Sequence, residues 1–242
     1  GVGDLEIGQL VAVSPSRPCG TCQYCLEGRQ NHCLNMRFYG SAMPFPHIQG
    51  AFSERLVADA SQCVPANGLT PGEAAMAEPL SVVLHAARLA GSLAGKRVLV
   101  TGCGPIGLLA VLVARAYGAI EVLATDITAF TLDIARKLGA DSTVNVAETP
   151  EGLTPYTADK GHFDVLFECS GVASALAGAV PVIRPGATVM QLGLGGDMTL
   201  PMQAMTAKEL VLKGSFRFHH EFPLADEMMQ TGRIKVPPLL TE

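Results

Sequence analysis

From residue 97 onward, short unbroken apolar runs alternate with longer stretches whose apolar positions recur at helical spacing. The runs at 97–101, 121–125, 163–168 and 187–192 show little polar alternation, the pattern of strands covered on both faces. Between them, residues 105–117, 129–138 and 174–182 read as helices, and shorter strands are expected around 143–146 and at 210–214. Strands separated by helices of roughly ten to fifteen residues predict an α/β fold with a doubly wound parallel sheet. The first 75 or so residues follow another pattern. They are rich in Gly and Pro, and short alternating runs at 9–13 and 52–57 read as strands of an incomplete all-β lobe. The change comes at Thr70-Pro71-Gly72-Glu73, where a capping Thr followed by Pro at the first helical position opens a helix. A second helix is expected over 79–90. Residues 148–161 have prolines and no clear period and are assigned no element.

Composition narrows the partners. With 242 residues and 48% hydrophobic content, there is apolar material for a large core and for two lobes. A net charge of −5 without a basic run argues against nucleic acid or an anionic membrane surface and for a small-molecule partner. Gly and Pro interrupt every apolar run before it could span a bilayer. Gly1-Val2-Gly3-Asp4 offers no basic start and no apolar leader, so no secretory signal is read, and with reduced cysteines a cytoplasmic location is expected.

Four of the seven cysteines crowd one loop. Cys19, Cys22 and Cys25 are spaced by two residues each, and Cys33 follows after seven more. This is ligand spacing for a closed structural zinc site, because zinc accepts a tetrahedron of thiolates that two-residue spacers let a single loop supply. Paired disulfides and four buried thiols are the other readings. Such a site leaves no position open for substrate, so the chemistry must lie elsewhere.

Gly102-Cys103-Gly104-Pro105-Ile106-Gly107 follows one apolar strand and opens an apolar helix. In that context Gly102 permits a tight turn, Gly104 lets backbone approach a pyrophosphate, and Gly107 lets helix and strand pack closely, with the helix N-terminus toward the phosphates. Asp126 ends the next strand, where a carboxylate accepts hydrogen bonds from the ribose hydroxyls of NAD and repels the 2′-phosphate of NADP. NAD is therefore expected over NADP. An ordinary strand-turn-helix, with Asp126 as a helix cap, is the alternative.

A four-cysteine loop followed by this nucleotide fold resembles the zinc-containing medium-chain dehydrogenases. Ala77-Glu78-Pro79-Leu80-Ser81-Val82 with His85 is similar to the sorbitol dehydrogenase branch. The stretch from Met36 through Tyr39 to Met43, then Phe45-Pro46-His47, and Gly214-Ser215-Phe216-Arg217-Phe218, resemble the bacterial L-idonate 5-dehydrogenases. The resemblance implies a GroES-like catalytic lobe at 1–75, an NAD-binding Rossmann domain at 76–214 and a return to the first lobe at 215–242. It implies that Cys19, Cys22, Cys25 and Cys33 hold the structural zinc and that Gly102, Gly104, Pro105, Ile106, Gly107 and Asp126 hold NAD. Leu192, Gly193 and Leu194, with Ser215, Phe216 and Arg217, match segments that pass the nicotinamide half.

On the substrate side, the resemblance makes Glu78 an acid beside a catalytic zinc, ligating it or holding its water. Arg217 becomes a clamp for a substrate carboxylate and Tyr39 a pocket-lining residue. A helix-start glutamate, a surface salt bridge and a core aromatic are their respective alternatives. His85 reads as a satisfied core histidine and His47 as structural. Thr131 stands where sorbitol dehydrogenases often carry an arginine over the adenine ribose, which leaves NAD preference to Asp126. The family's catalytic Cys and His-Glu pair precede the stretch that matches here, so this chain is expected to be a middle portion that binds cofactor and zinc but turns over poorly. The implied reaction is oxidation of a polyol or sugar acid, L-idonate at C5 to 5-keto-gluconate, by hydride transfer to NAD. A different polyol or threonine dehydrogenase, or a non-catalytic dinucleotide-binding module, is the alternative. A homodimer or homotetramer is expected.

Overall fold

The computed structural model describes residues 5–41, 43 and 45–240. Gly1 to Asp4 and Ala42, which entered the sequence reading, lie outside the described residues. In chain order the elements are β1 (Val11–Val13), β2 (Ser16–Arg17), α1 (Gln23–Leu26), β3 (Arg37–Phe38), β4 (Cys63–Pro65), α2 (Pro71–Ala75) and α3 (Ala77–Ala90). They continue with β5 (Arg97–Thr101), α4 (Pro105–Ala116), β6 (Glu121–Asp126), α5 (Ala129–Lys137), β7 (Ser142–Asn145) and β8 (Phe163–Glu168). The last are α6 (Ala173–Ala179), β9 (Ile183–Gln191), α7 (Met202–Ala207), β10 (Val211–Gly214) and α8 (Glu221–Gln230). Two compact units form, Gly1–Ser81 with Arg217–Arg233, and Val82–Phe216 with Ile234–Glu242.

In the first unit, β1 pairs antiparallel with β4 and β2 with β3. Buried Gln62 ties these short ladders together by donating to the Ser14 carbonyl at 2.7 Å and the Ser16 carbonyl at 3.4 Å. Thr70 and Glu73 form a reciprocal capping box at the start of α2, with Pro71 just inside it. Helix α3 begins two residues before the expected 79, because a proline in the first turn of a helix has no intrahelical N–H bond to lose. Residues 52–57, read as a strand from their alternation, form none: they are exposed and pair with nothing in the ladders, and an extended run without a partner has no hydrogen bonds to hold it.

The second unit is a six-stranded parallel sheet in the order β10-β9-β8-β5-β6-β7. This is the doubly wound arrangement, with its switch point between β5 and β8. Leu99, Leu123, Phe163, Leu166, Leu176 and Val189 form its core, each almost wholly shielded from solvent. Covering the strands on both faces demands the continuous apolar runs seen in the sequence. The stretch at 150–160, to which no element was assigned, winds as 3₁₀ turns with a kink at Ala158 and Asp159, and Leu153 and Tyr156 pack on the core. Helices α7 and α8 were not anticipated.

Candidate functional site

The first unit carries the cysteine loop. One helical turn, α1, sets Cys22 and Cys25 side by side, and a 3₁₀ turn at Gln30–His32 delivers Cys33. The four sulfurs lie within 4.8 Å of one another, with Cys22 to Cys25 at 3.5 Å and Cys19 to Cys25 at 4.0 Å. Zinc–thiolate bonds of about 2.3 Å in a tetrahedron place sulfurs about 3.8 Å apart, so this donor set fits a zinc ion. All seven cysteines are free thiols, which leaves no disulfide to compete. The backbone is ready for negative sulfur: the Cys19 N–H donates to Cys33 Sγ at 3.1 Å and the Cys22 N–H to Cys19 Sγ at 3.4 Å. Backbone hydrogen bonds from Thr21 and Cys22 pull the Cys19 thiol down to about 5, while burial pushes the Cys25 thiol up to about 12.

The same unit gathers the residues read as substrate-facing. Arg217 has φ of +56°, a left-handed conformation that costs a non-glycine residue energy and that the surroundings must hold. Its guanidinium lies 4.4 Å from the Phe38 ring centroid and meets Ser41 Oγ at 3.4 Å. Glu78 lies in the first turn of α3 and lines a cavity of about 280 Å³ with Val11, Val13, Pro71 and Phe222. Burial raises its carboxyl above the ordinary value and the Arg217 charge draws it part of the way back; burial likewise lowers Arg217. Tyr39 donates its hydroxyl to the Val57 carbonyl at 3.1 Å. Among the described residues, only the four cysteines form a cluster of three or more metal-ligating side chains. Glu78 alone is not a second zinc site.

The second unit carries the glycine turn. Gly102 has φ of +83°, and a Cβ there would come within 2.8 Å of Ser170 backbone. At Gly107 a Cβ would run into the Gly102 carbonyl, so only glycine lets α4 start this close to β5. Gly104 faces open space as N-cap of α4, with no side chain capping the helix and Pro105 and Ile106 following, an arrangement that suits a phosphate. Asp126, at the tip of β6, accepts from the Cys103 N–H at 2.6 Å, the Ile127 N–H at 2.8 Å and the Thr128 N–H at 2.9 Å. Thr131 turns its hydroxyl back to the Thr128 carbonyl at 2.9 Å. His85, as read, is a buried histidine on α3, 3.2 Å from an Arg88 nitrogen.

Beyond the switch point, Leu192, Gly193 and Leu194 leave β9, with Leu194 90% exposed. Ser215 and Phe216 follow β10; the Ser215 N–H donates to the Gln191 carbonyl at 3.0 Å, and its buried Oγ has no partner among the described residues. A helix N-terminus with no capping side chain and a buried hydroxyl without a partner among the described residues both fit a bound dinucleotide. Sequence reasoning overlooked Glu168. It ends an apolar strand at the same sheet edge as Asp126, and that shared placement was the available signal.

Residues 105–231 match a family model described as zinc-binding dehydrogenase, and residues 1–68 match the alcohol dehydrogenase GroES-like domain. Over 240 residues the chain is 42% identical to an L-idonate 5-dehydrogenase (NAD(P)(+)) of Escherichia coli K12, covering 98% of this chain and 69% of that one. The crystal structure of L-idonate 5-dehydrogenase from E. coli K-12 superimposes with a TM-score of 0.92, over 97% of this chain and 68% of that chain. A sorbitol dehydrogenase of Arabidopsis thaliana is 36% identical over 99% of this chain and 67% of its own length. A zinc-binding dehydrogenase from Sinorhizobium meliloti, solved bound to NADP, is 31% identical with a TM-score of 0.86, over 96% of this chain and 68% of that one. The chain belongs to the zinc-dependent medium-chain alcohol and polyol dehydrogenases, enzymes that use a nicotinamide dinucleotide.

Proposed function

We propose that the whole protein oxidises L-idonate at C5 to 5-keto-gluconate with NAD as hydride acceptor. The observation that carries this reading is the 42% identity to the E. coli enzyme together with Arg217, the cation held over Phe38 beside Glu78. A planar guanidinium is shaped to grip a carboxylate, the group that separates a sugar acid from a neutral polyol. Bound NAD supplies the acceptor for the hydride leaving C5. This chain's residues do the rest of the placing: α4 and the glycine turn take the pyrophosphate, Asp126 takes the adenosine ribose, and the Leu192–Leu194 and Ser215–Phe216 segments flank the nicotinamide half. NAD is favoured over NADP because a 2′-phosphate would stand against the Asp126 carboxylate.

Cys19, Cys22, Cys25 and Cys33 are assigned a structural zinc that cross-links their loop. Glu78 is assigned a place next to a catalytic zinc, although among the described residues it joins no cluster of three metal-ligating side chains. Tyr39 offers its ring, rather than its tied hydroxyl, to the substrate. The zinc-thiolate loop favours a reducing compartment such as the cytoplasm, and the half-exposed edge strand β10, with Val211 and Leu212 at its face, favours a homodimer or homotetramer. Initial rates with L-idonate, sorbitol and threonine, each with NAD and NADP, test the assignment. Preference for threonine, or for NADP, would refute the corresponding part.

A further inference from the structure

One buried carboxylate at the sheet edge is not accounted for by zinc, substrate or adenosine. Glu168 is fully buried at the tip of β8 and makes no ion pair among the described residues. Its Oε1 accepts the Ser170 N–H at 2.9 Å, the Ser170 hydroxyl and, at 3.5 Å, the Thr101 hydroxyl. Its Oε2 accepts Gln191 Nε2 at 2.5 Å, and the Gly171 N–H reaches both oxygens at 3.2 Å. Its main-chain carbonyl takes the Leu192 and Gly193 N–H groups, each at 2.9 Å. Register puts Thr101, Glu168, Gln191 and Gly214 in one row across β5, β8, β9 and β10. One residue thus ties the end of β5 to the segments that leave β8 and β9, and Gln191 extends the link to Ser215 after β10. A buried acid without a counter-charge is costly unless donors surround it, and here every partner is a donor.

The placement of the cofactor gives that knot a purpose. With the ribose of adenosine at Asp126 on β6 and the pyrophosphate at the glycine turn after β5, a dinucleotide crossing the switch point has only the tips of β8, β9 and β10 left for its other half. We propose that Glu168 is a positioning residue for the nicotinamide half of the cofactor. It fixes Ser170–Gly171 and Gln191–Gly193 as one rigid wall and, through Gln191, sets the Ser215 backbone, whose buried hydroxyl has no partner among the described residues. Asp126 is not among its partners, and it reaches the glycine turn only indirectly, through Thr101 and Ser170, so the adenosine half depends on it less than the nicotinamide half does. The inference rests on the dinucleotide reading above.

Calorimetric titration of the zinc-loaded protein with NADH and with ADP-ribose, which lacks nicotinamide, separates the two halves. Glu168→Gln places an amide N–H₂ among donors. It is expected to weaken NADH at least tenfold and to leave ADP-ribose within twofold, whereas Asp126→Ala weakens both. Equal loss of both ligands in E168Q, or unchanged NADH affinity, overturns the proposal. Wild-type protein that binds neither ligand overturns the dinucleotide reading itself and the proposal with it. Should E168Q fail to fold by circular dichroism, Gln191→Leu cuts the 2.5 Å link from the other side and is judged by the same ratio.

Discussion

At Arg217 a strained backbone, an aromatic ring and a half-buried acid converge on one cation. If that cation grips a substrate carboxylate, its loss is selective. Arg217→Met is expected to lower kcat/KM for L-idonate by roughly 10- to 100-fold, the worth of a charge-assisted hydrogen bond of about 1.5–3 kcal/mol, chiefly through KM. Sorbitol, which has no carboxylate, is expected to lose little, and steady-state kinetics on both substrates read the difference. Burial dominates a different residue. Cys103, inside the glycine turn, has its thiol pushed up to about 12, mainly by burial and then by the Asp126 charge. The folded state therefore holds that proton more tightly than the unfolded chain, whose thiol titrates near 9.0. Stability is retained below about 9 and lost as pH climbs from there toward 12. Cys103 is expected to resist iodoacetamide at pH 8 in native protein and to react once unfolded, as peptide mass mapping would show.

Among the elements, α2 and the cysteine loop are the ones whose local chemistry can be switched off singly. The Thr70–Glu73 box donates and accepts at both ends, with the Thr70 N–H on Glu73 Oε2 at 2.9 Å and the Glu73 N–H on Thr70 Oγ1 at 3.3 Å. Thr70→Ala is expected to cost about 1 kcal/mol in a denaturant titration. Hydrogen bonds from Thr70 hold the Glu73 carboxyl below its ordinary value, so this contribution is present at neutral pH and fades as pH falls below about 4.5. A zinc ion held by the cysteine loop would compete with protons for its thiolates. Acidification or a strong chelator is expected to release zinc and open the 19–33 loop to protease, while the far-ultraviolet signal of the sheet unit persists. Resistance of the loop to cleavage after zinc release would count against the site.

On the scale of the whole molecule, the alternating unit was the most legible. Its central strands β5, β6 and β8 are buried on both faces and so advertise themselves as apolar runs, and the glycine turn and Asp126 sit where strand and helix meet. The cysteine spacing was equally open to reading, because ligand geometry is encoded within one loop. Residues 52–57 misled because alternation records a face and says nothing about a partner strand. Glu168 was hidden for the opposite reason: its significance arises only when register aligns it with Thr101 and Gln191, residues 67 and 23 positions away in sequence. Helix α8 carries buried Glu221 and Asp226, which blur its apolar stripe.

The central claim is that these sites serve oxidation of a sugar acid by NAD. Reduction of NAD followed by absorbance, on full-length zinc-loaded protein given L-idonate, sorbitol or threonine, tests it directly. The account predicts kcat/KM for L-idonate at least tenfold above either alternative, and NAD at least tenfold above NADP. No NADH formation from L-idonate while zinc and cofactor are both bound would contradict it.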